Sequence, residues 1–464
     1  MALGRRNEEQ QGELWIPTAN LPVSPGHAFY VKLNELLAAG GFDTWVEDLC
    51  EPYYAKTGRP GIPPGVYFRM LLVGYFEGIG SQRGIAWRCS DSLSLRKFLG
   101  MAPTEESPVH ASLSVIRERL PVEVHRAVFL WVLKLAREKK LLDGKTLGVD
   151  STTLEANAAM KSIVRRDTEE DWQEYVTGLM RAEGVIDEDE KPTIDEIRKF
   201  DKHRPDKKVS NDEWKSPTDE DSRIAKMKDG TTHLAYKAEH AVDLQTEMIV
   251  AAEIYHADYG DALTLEDTVQ MAQTHLRESG SAVQIRDVAG DKGYHSAAGL
   301  TDLAEYTPYR TYVAEPALPA GRKHVWTNKP PEQRDAVYAN RRRLRGERGK
   351  ALQRQRSEKV ERSFAHVCET GGARRTWLWG IEKVYKRYLI TAMAHNIGLV
   401  MRALFGMGTP RGLQSYVDLL AALLCALQAA QAAIGRALEP IWARQKSDDA
   451  VFNFTDHRAA TAAV

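Results

Sequence analysis

The chain has 464 residues, 43% of them hydrophobic and 27% charged, enough apolar content for a large core and too much for a wholly disordered chain. Lysine and arginine number 63 against 64 aspartates and glutamates, a formal charge of −1. That excludes a uniformly basic coat and leaves any polyanion to be met by a local patch. Cys50, Cys89, Cys368 and Cys425 lie far apart, without CxxC or Cys/His spacing, so neither a disulfide framework nor a structural zinc is expected.

In chain order, MALGRRNEEQQGELW lacks the apolar stretch and cleavage site of a secretory signal. The block up to about Pro121 reads as short helices. A turn, GRPGIPPG (58–65), leads into VYFRMLLVGYFEGIG, where Val66, Met70, Leu71 and Tyr75 share one helical stripe and Gly78 and Gly80 end the helix. SQRGIAWRC, a break at SDS, and LSLRKFLG then read as two short amphipathic segments with a turn between them. That is the spacing of a helix-turn-helix, a pairing also common in proteins that never touch nucleic acid.

A helix around 123–139 is followed by a change of period. Lys145-Thr-Leu-Gly-Val-Asp150 is a short apolar run bounded by Gly144 and by Ser151-Thr152-Thr153, which predicts a buried strand ending at Asp150. From Lys161 to Asp221 there are 19 acidic and 12 basic residues, net −7, with few branched aliphatics; this reads as a solvated helical insert or a partly disordered one. Tyr236 to Asp243 and Glu247 to Tyr255 predict two strands joined as a hairpin through Leu-Gln-Thr. A helix follows over Asp261 to Leu276, then a strand over Val283 to Gly290, a helix over Ala297 to Glu305 and a strand over Tyr309 to Val313. A Pro- and Arg-containing insert leads to helices over 352–367 and 382–405. One mixed sheet flanked by helices accommodates this order most simply. Leu419 to Gly435 is uncharged for 17 residues, shorter than the ~20 needed to span a bilayer. It is expected to be a packing or assembly helix of a cytoplasmic protein with no membrane partner.

Three acids stand out by position. Asp150 closes the first strand, Asp291 follows the fourth, and Glu361 sits on the helix after the second insert. Only tertiary folding could bring them together. Oxygen ligands of this kind suit Mg²⁺ or Mn²⁺, and two such ions can serve the attacking and leaving oxygens of a phosphodiester. Acids at element ends are also common as caps and surface charges. Beside Glu361, Arg341 to Arg362 holds 10 basic and 3 acidic residues, net +7, the footprint expected for a phosphate backbone. His256 and Asp258 could pair on a metal, but they fall in a strand-to-helix connection where Asp261 would serve as N-cap. Asp243 reads as a turn residue. No GxSxG, no GxxxxGK[ST] and no catalytic cysteine setting is found.

These residues resemble the DDE transposases of bacterial insertion sequences, whose catalytic core is RNase H-like. GRPGIPPGVYFRMLLVGYFEGIGSQRGIAWRCSDSLSLRKFLG and SPVHASLSVIRERL look like the N-terminal domain of such enzymes. LGVDSTTLEANAAMKS resembles the strand with the first Asp, THLAYKAEHAVD the second strand, VAGDKGYHS the segment with the second Asp, and VERSFAHV the helix with the Glu. FGMGTPRGLQ resembles a tail found in one group of them. The motifs occur in the family's order and cover most of the chain.

The resemblance implies an N-terminal all-α DNA-binding domain (1–125), an RNase H-like α/β catalytic domain (126–406) with inserts at about 158–230 and 314–350, and a helical tail (407–464). It implies Asp150, Asp291 and Glu361 as ligands of two Mg²⁺ or Mn²⁺ ions, with Glu358 as the competitor to Glu361, although Glu358 also reads as a surface partner of Arg354 or Arg362. Arg341, Arg342, Arg343, Arg354, Arg356, Arg362 and Lys292 are the expected DNA contacts, and Tyr294 reads equally as a DNA-backbone contact or a turn residue. Terminal inverted repeats and target DNA are the implied partners, held by a homodimer or larger assembly. Trp326 in the second insert could hold a flipped base, or simply pack. The same motifs also fit a nuclease that cuts without joining, or a non-catalytic DNA-binding relic.

Overall fold

The computed structural model describes residues 26–58, 61–205, 209–227, 229–317 and 325–411. Before the first strand come α1 (Ala28–Ala39), α2 (Phe42–Cys50), α3 (Pro64–Glu77), α4 (Gln82–Ser90), α5 (Leu93–Phe98), α6 (His110–Arg119) and α7 (Val122–Glu138). Pro64 opens α3, where its fixed φ suits a first turn. Gly78 ends α3 at φ 69°, its N–H turned back to the carbonyls of Gly74 and Tyr75. Ser81 and Ser92 cap α4 and α5 by accepting the N–H groups of Gly84 and Leu95. The two short helices and the turn read from the sequence are therefore present.

The remaining elements are β1 (Thr146–Glu155), β2 (Val164–Arg165), α8 (Trp172–Ala182), α9 (Ile194–His203), β3 (Trp214–Lys215), β4 (Arg223–Lys226), β5 (Thr232–Asp243), β6 (Ile249–His256), α10 (Asp261–Glu278), β7 (Asp287–Gly290), α11 (Ala297–Tyr306), β8 (Arg310–Val313), α12 (Pro331–Arg345), α13 (Glu347–Phe364) and α14 (Ile381–Phe405). The main sheet runs β4-β5-β1-β7-β8, with β6 also paired to β5. β1 is antiparallel to β5 and parallel to β7, and β7 is parallel to β8. The mixed sheet flanked by helices is as expected.

Alternation along β1 divides the core. Leu147 and Val149 face α10 and α11 in one apolar cluster, which includes Leu265, Val269 and Leu300. Gly148, Asp150, Thr152 and Leu154 take the opposite face, where Leu154 joins the larger cluster built by α1–α7, α13 and α14. The N-terminal helices thus share one apolar core with the sheet. The chain divides into two compact units, Met1–Gly408 and Thr409–Val464, of which the second is described only to Arg411. The predicted tail helix and Leu419 to Gly435 lie outside the described residues. Among the described residues, one helix, α14, is long and apolar enough to cross a membrane, and 72% of its apolar window is buried inside the fold.

Several boundaries differ from the sequence reading. β1 runs on to Glu155, because Ser151 to Glu155 keep pairing with Glu239 to Ala235 of β5; β-branched Thr152 and Thr153 suit a strand, so the hydroxyl cluster is no boundary. Asp150 accordingly lies mid-strand. The acidic insert is folded: α8 and α9 bury Val176, Met180 and Ile197 together, and Thr193 with Glu196 forms a capping box on α9. Of the run 283–290 only Asp287–Gly290 pairs. The second insert contains α12, and α13 begins at Glu347 before passing at Ala365–Thr370 into a π-helical turn.

Candidate active site

Asp150 and Asp291 come together through strand register. β1 and β7 pair in parallel as far as Gly148↔Ala289. Carried two residues on, the same register leads Asp150 and Asp291 to the same face of the sheet, close enough for the Asp291 charge to act on Asp150. There the pairing stops, and the chain after Gly290 leaves in a 3₁₀ turn, Lys292–Tyr294, capped by Asp291 Oδ1 on the Gly293 N–H (2.7 Å). The strands part where the two carboxylates emerge. Burial raises the Asp150 carboxyl above the ordinary Asp value; Arg356 opposes this, while the neighbouring Asp291 charge adds to it.

α13 crosses this face of the sheet from β8 to β5. Gln353 Nε2 donates to the carbonyl of Gly290 at 3.0 Å. Arg356 Nη1 lies 2.6 Å from Asp150 Oδ2. Val360 rests on Gly148, where a Cβ would sit 2.9 Å from Val360 Cγ2 and 2.7 Å from Leu244 Cδ2; only glycine lets the helix come this close. At the far end Phe364 stacks on the buried ring of His240 at 4.0 Å and 8°. Ser363 Oγ, which donates to the Val360 carbonyl, accepts from His240 Nδ1 at 2.8 Å, and Tyr388 OH donates to His240 Nε2 at 2.8 Å. Burial holds that imidazole well below its usual pKa, hence neutral, which this donor pattern requires.

Glu361 is exposed on α13. Lys359 donates to the Leu244 carbonyl, at the amino end of β1. Two residues further on, Glu361 is turned about 200° around the helix from Lys359. Among the described residues no three His, Cys, Asp or Glu side chains are gathered closely enough to hold a metal. Asp150 and Asp291 are brought together; Glu361 is on the adjoining helix but is not part of such a group. Glu358 pairs with Arg362, as its i, i+4 spacing suggested.

Behind the aspartates, on the other face of β1, lies a network with no counterpart in the sequence reading. Lys237 Nζ is 2.8 Å from Asp261 Oδ1 and 3.1 Å from Glu239 Oε2, and it donates to Thr264 Oγ1 at 2.7 Å. Glu239 Oε2 also accepts from Thr264 Oγ1 (2.7 Å) and Tyr294 OH (3.0 Å), and Ser151 Oγ donates to Asp261 Oδ1 (2.8 Å). Tyr294 therefore anchors the turn that carries Asp291. Asp261 is not the N-cap expected of it. That position falls to Gly260, and the Asp261 carboxylate reaches Ser151 and Lys237 instead. The available signal was Lys237 and Glu239 spaced i, i+2 in an otherwise apolar strand, which marks a charged face buried under another element.

Much of the basic stretch is engaged within the fold. Arg341 pairs with Glu315 at 2.7 Å, and Arg343 donates to the Thr311 carbonyl at 2.8 Å. Arg348 pairs with the fully buried Asp287 at 2.5 Å, and Arg362 with Glu247 at 2.8 Å. Arg342, Arg354 and Lys292 are exposed. Trp326 packs against the second core cluster and donates to Glu315 at 3.2 Å. Asp243 is buried and accepts from the N–H groups of Asp143 and Gly144 and from its own turn. His256 Nδ1 bonds to the Asp221 carbonyl and Asp258 approaches Arg223 at 3.7 Å, so the two do not form a metal pair. Cys50, Cys89 and Cys368 are buried and in no disulfide.

Two family models match the chain: a transposase domain (DUF772) over residues 21–119 and a transposase DDE domain over residues 318–401. Both matched stretches are transposase domains, and together they support an insertion-sequence DDE transposase. The first match takes in α1–α6, and the second spans α12, α13 with Glu361, and most of α14. No curated protein and no solved structure matches the chain.

Proposed function

We propose that this DNA transposase is a metal-dependent strand transferase with an RNase H-like core, and that Asp150, Asp291 and Glu361 are its catalytic carboxylates. The observation that supports the reading is the parallel register of β1 and β7, which leads Asp150 and Asp291 to one face beneath the helix that bears Glu361, with the Asp291 charge acting on Asp150. The direct pairing of β1 with β5 fits the same core. The donor set is all oxygen, which suits Mg²⁺ or Mn²⁺, and the guanidinium already drawn to Asp150 marks a place that favours positive charge.

The three carboxylates would hold two such ions. Bound there, divalent ions activate the attacking oxygen and stabilise the leaving one. The chain's own part is to position. Tyr294 fixes the Asp291 turn through Glu239, and the His240–Ser363 and Gly148–Val360 contacts fix the rotation of α13. Arg356 can present a forked donor to a phosphate beside Asp150, while Lys292, Arg342 and Arg354 face solvent and would meet the DNA backbone as exposed cations. Water and then a DNA 3′-hydroxyl serve as nucleophiles, so no covalent protein–DNA link is needed. Coordinated cutting of two ends calls for a dimer or larger assembly on the terminal repeats.

Labelled end DNA, Mg²⁺ and a target plasmid test the proposal: joined products are expected. Asp150→Asn, Asp291→Asn and Glu361→Gln should each abolish cleavage while keeping end binding. Cleavage without joining would replace the transferase by a nuclease, and salt-sensitive binding with no metal-dependent cleavage would leave only a DNA-binding relic.

A further inference from the structure

The contact between Arg356 and Asp150 has a property that a plain structural ion pair lacks. Asp150 Oδ1 is taken by the Ser151 N–H at 2.8 Å, so Oδ2 is the oxygen left for a cation, and Arg356 Nη1 occupies it at 2.6 Å. The arginine is held from one side only. Its side chain is 11% exposed, yet its Nε is buried with no hydrogen-bond partner. A buried donor without an acceptor is costly, so the pair is incompletely satisfied as it stands. The aliphatic stem is pinned, with Cγ close above Gly148, so the guanidinium can swing while its root stays in place. By contrast Arg348, on the same helix, meets Asp287 together with Arg286 and Arg310 in a cluster where all three arginines saturate one buried carboxylate.

We propose that Arg356 is a built-in competitor for the cation at Asp150: it neutralises the buried carboxylate in the metal-free protein and must leave Oδ2 before a divalent ion can take it. This rests on Asp150 being a metal ligand. Arg356 thereby keeps the site from loading fully until something else, such as a DNA phosphate, draws the guanidinium away and satisfies its remaining donors.

The competition has a sign that loss of an ordinary supporting residue would not give. Mn²⁺ binding to the DNA-free protein, followed by electron paramagnetic resonance at pH 8, should be tighter in Arg356→Gln than in the parent chain. An effect of roughly tenfold or more is expected for removing a like charge at this distance. Arg356→Lys, which keeps the charge, should bind close to the parent value, and Arg356→Met serves as a second neutral variant if the glutamine does not fold. Asp150→Asn is the control. If it binds Mn²⁺ as the parent does, Asp150 is no ligand and the proposed catalytic set falls. If Asp150→Asn loses binding while the neutral variants bind no more tightly than the parent, only the competition is overturned.

Discussion

Replacing Lys237 by methionine tests how the site is supported. The side chain is 5% exposed and Glu239 0%, and the ammonium is shared between Glu239 and Asp261. Methionine fills the volume of the stem but leaves Glu239 as a buried charge without its cation. Breaking a buried pair from one side costs about 3–5 kcal/mol. Glu239 keeps its bonds from Thr264 and Tyr294, so the lower end, about 3 kcal/mol, is expected. Burial raises the Glu239 carboxyl above the ordinary Glu value and Lys237 opposes the rise; without the lysine it climbs further. A raised carboxyl is content below its unfolded value and costs stability once the pH passes its folded value. The deficit in urea unfolding should therefore be largest at pH 8 and shrink towards pH 5. A loss below about 1 kcal/mol, or one equal at both pH values, would refute a buried, charge-dependent network here.

Three further outcomes follow from the same geometry. Tyr294→Phe removes the bond from the Asp291 turn to Glu239; the Mg²⁺ concentration for half-maximal cleavage should rise severalfold with little change in melting temperature, and an unchanged requirement would free the turn from that anchor. Burial lifts the Glu253 carboxyl to about 7, against the donated bond from Tyr385, so its contribution to stability is present below about 4.5 and is lost as pH rises through about 7. Glu253→Gln should flatten that slope and gain up to about 3 kcal/mol at pH 8; an unaltered slope in urea titrations would contradict it. Gly148→Ala places a methyl against Val360 and Leu244 and should cost about 1–3 kcal/mol and depress cleavage by lifting α13. A neutral result in both assays would mean the helix is not seated as described.

What the sequence determined by itself was local. Apolar runs and helical stripes foretold the mixed sheet with flanking helices, Gly78 and the break at Ser-Asp-Ser marked helix ends, and DKGY following a strand singled out Asp291. These signals survive in sequence because periodicity and capping depend on near neighbours. Local cues run out at two places: Ser-Thr-Thr after Asp150 reads as a strand end, and the acidic insert fits a solvated helical segment as well as a partly disordered one. Cross-strand pairing with β5 and a three-residue apolar cluster decide those two, and both partners are distant in the chain.

Only the tertiary structure could decide which charges are spoken for. From composition, 10 basic residues between Arg341 and Arg362 make one uniform patch. In the fold, Arg341, Arg348, Arg356 and Arg362 each meet a carboxylate, while Arg342 and Arg354 face solvent. Likewise no local pattern tells that β1 and β7 pair in parallel ahead of Asp150 and Asp291, or that Lys237, Glu239, Asp261 and Tyr294 close around one another on the other face. Electrostatic partners are fixed by distances of a few ångströms between residues tens to hundreds of positions apart. Strand register and the crossing of α13 set those distances, and a linear pattern carries no record of either.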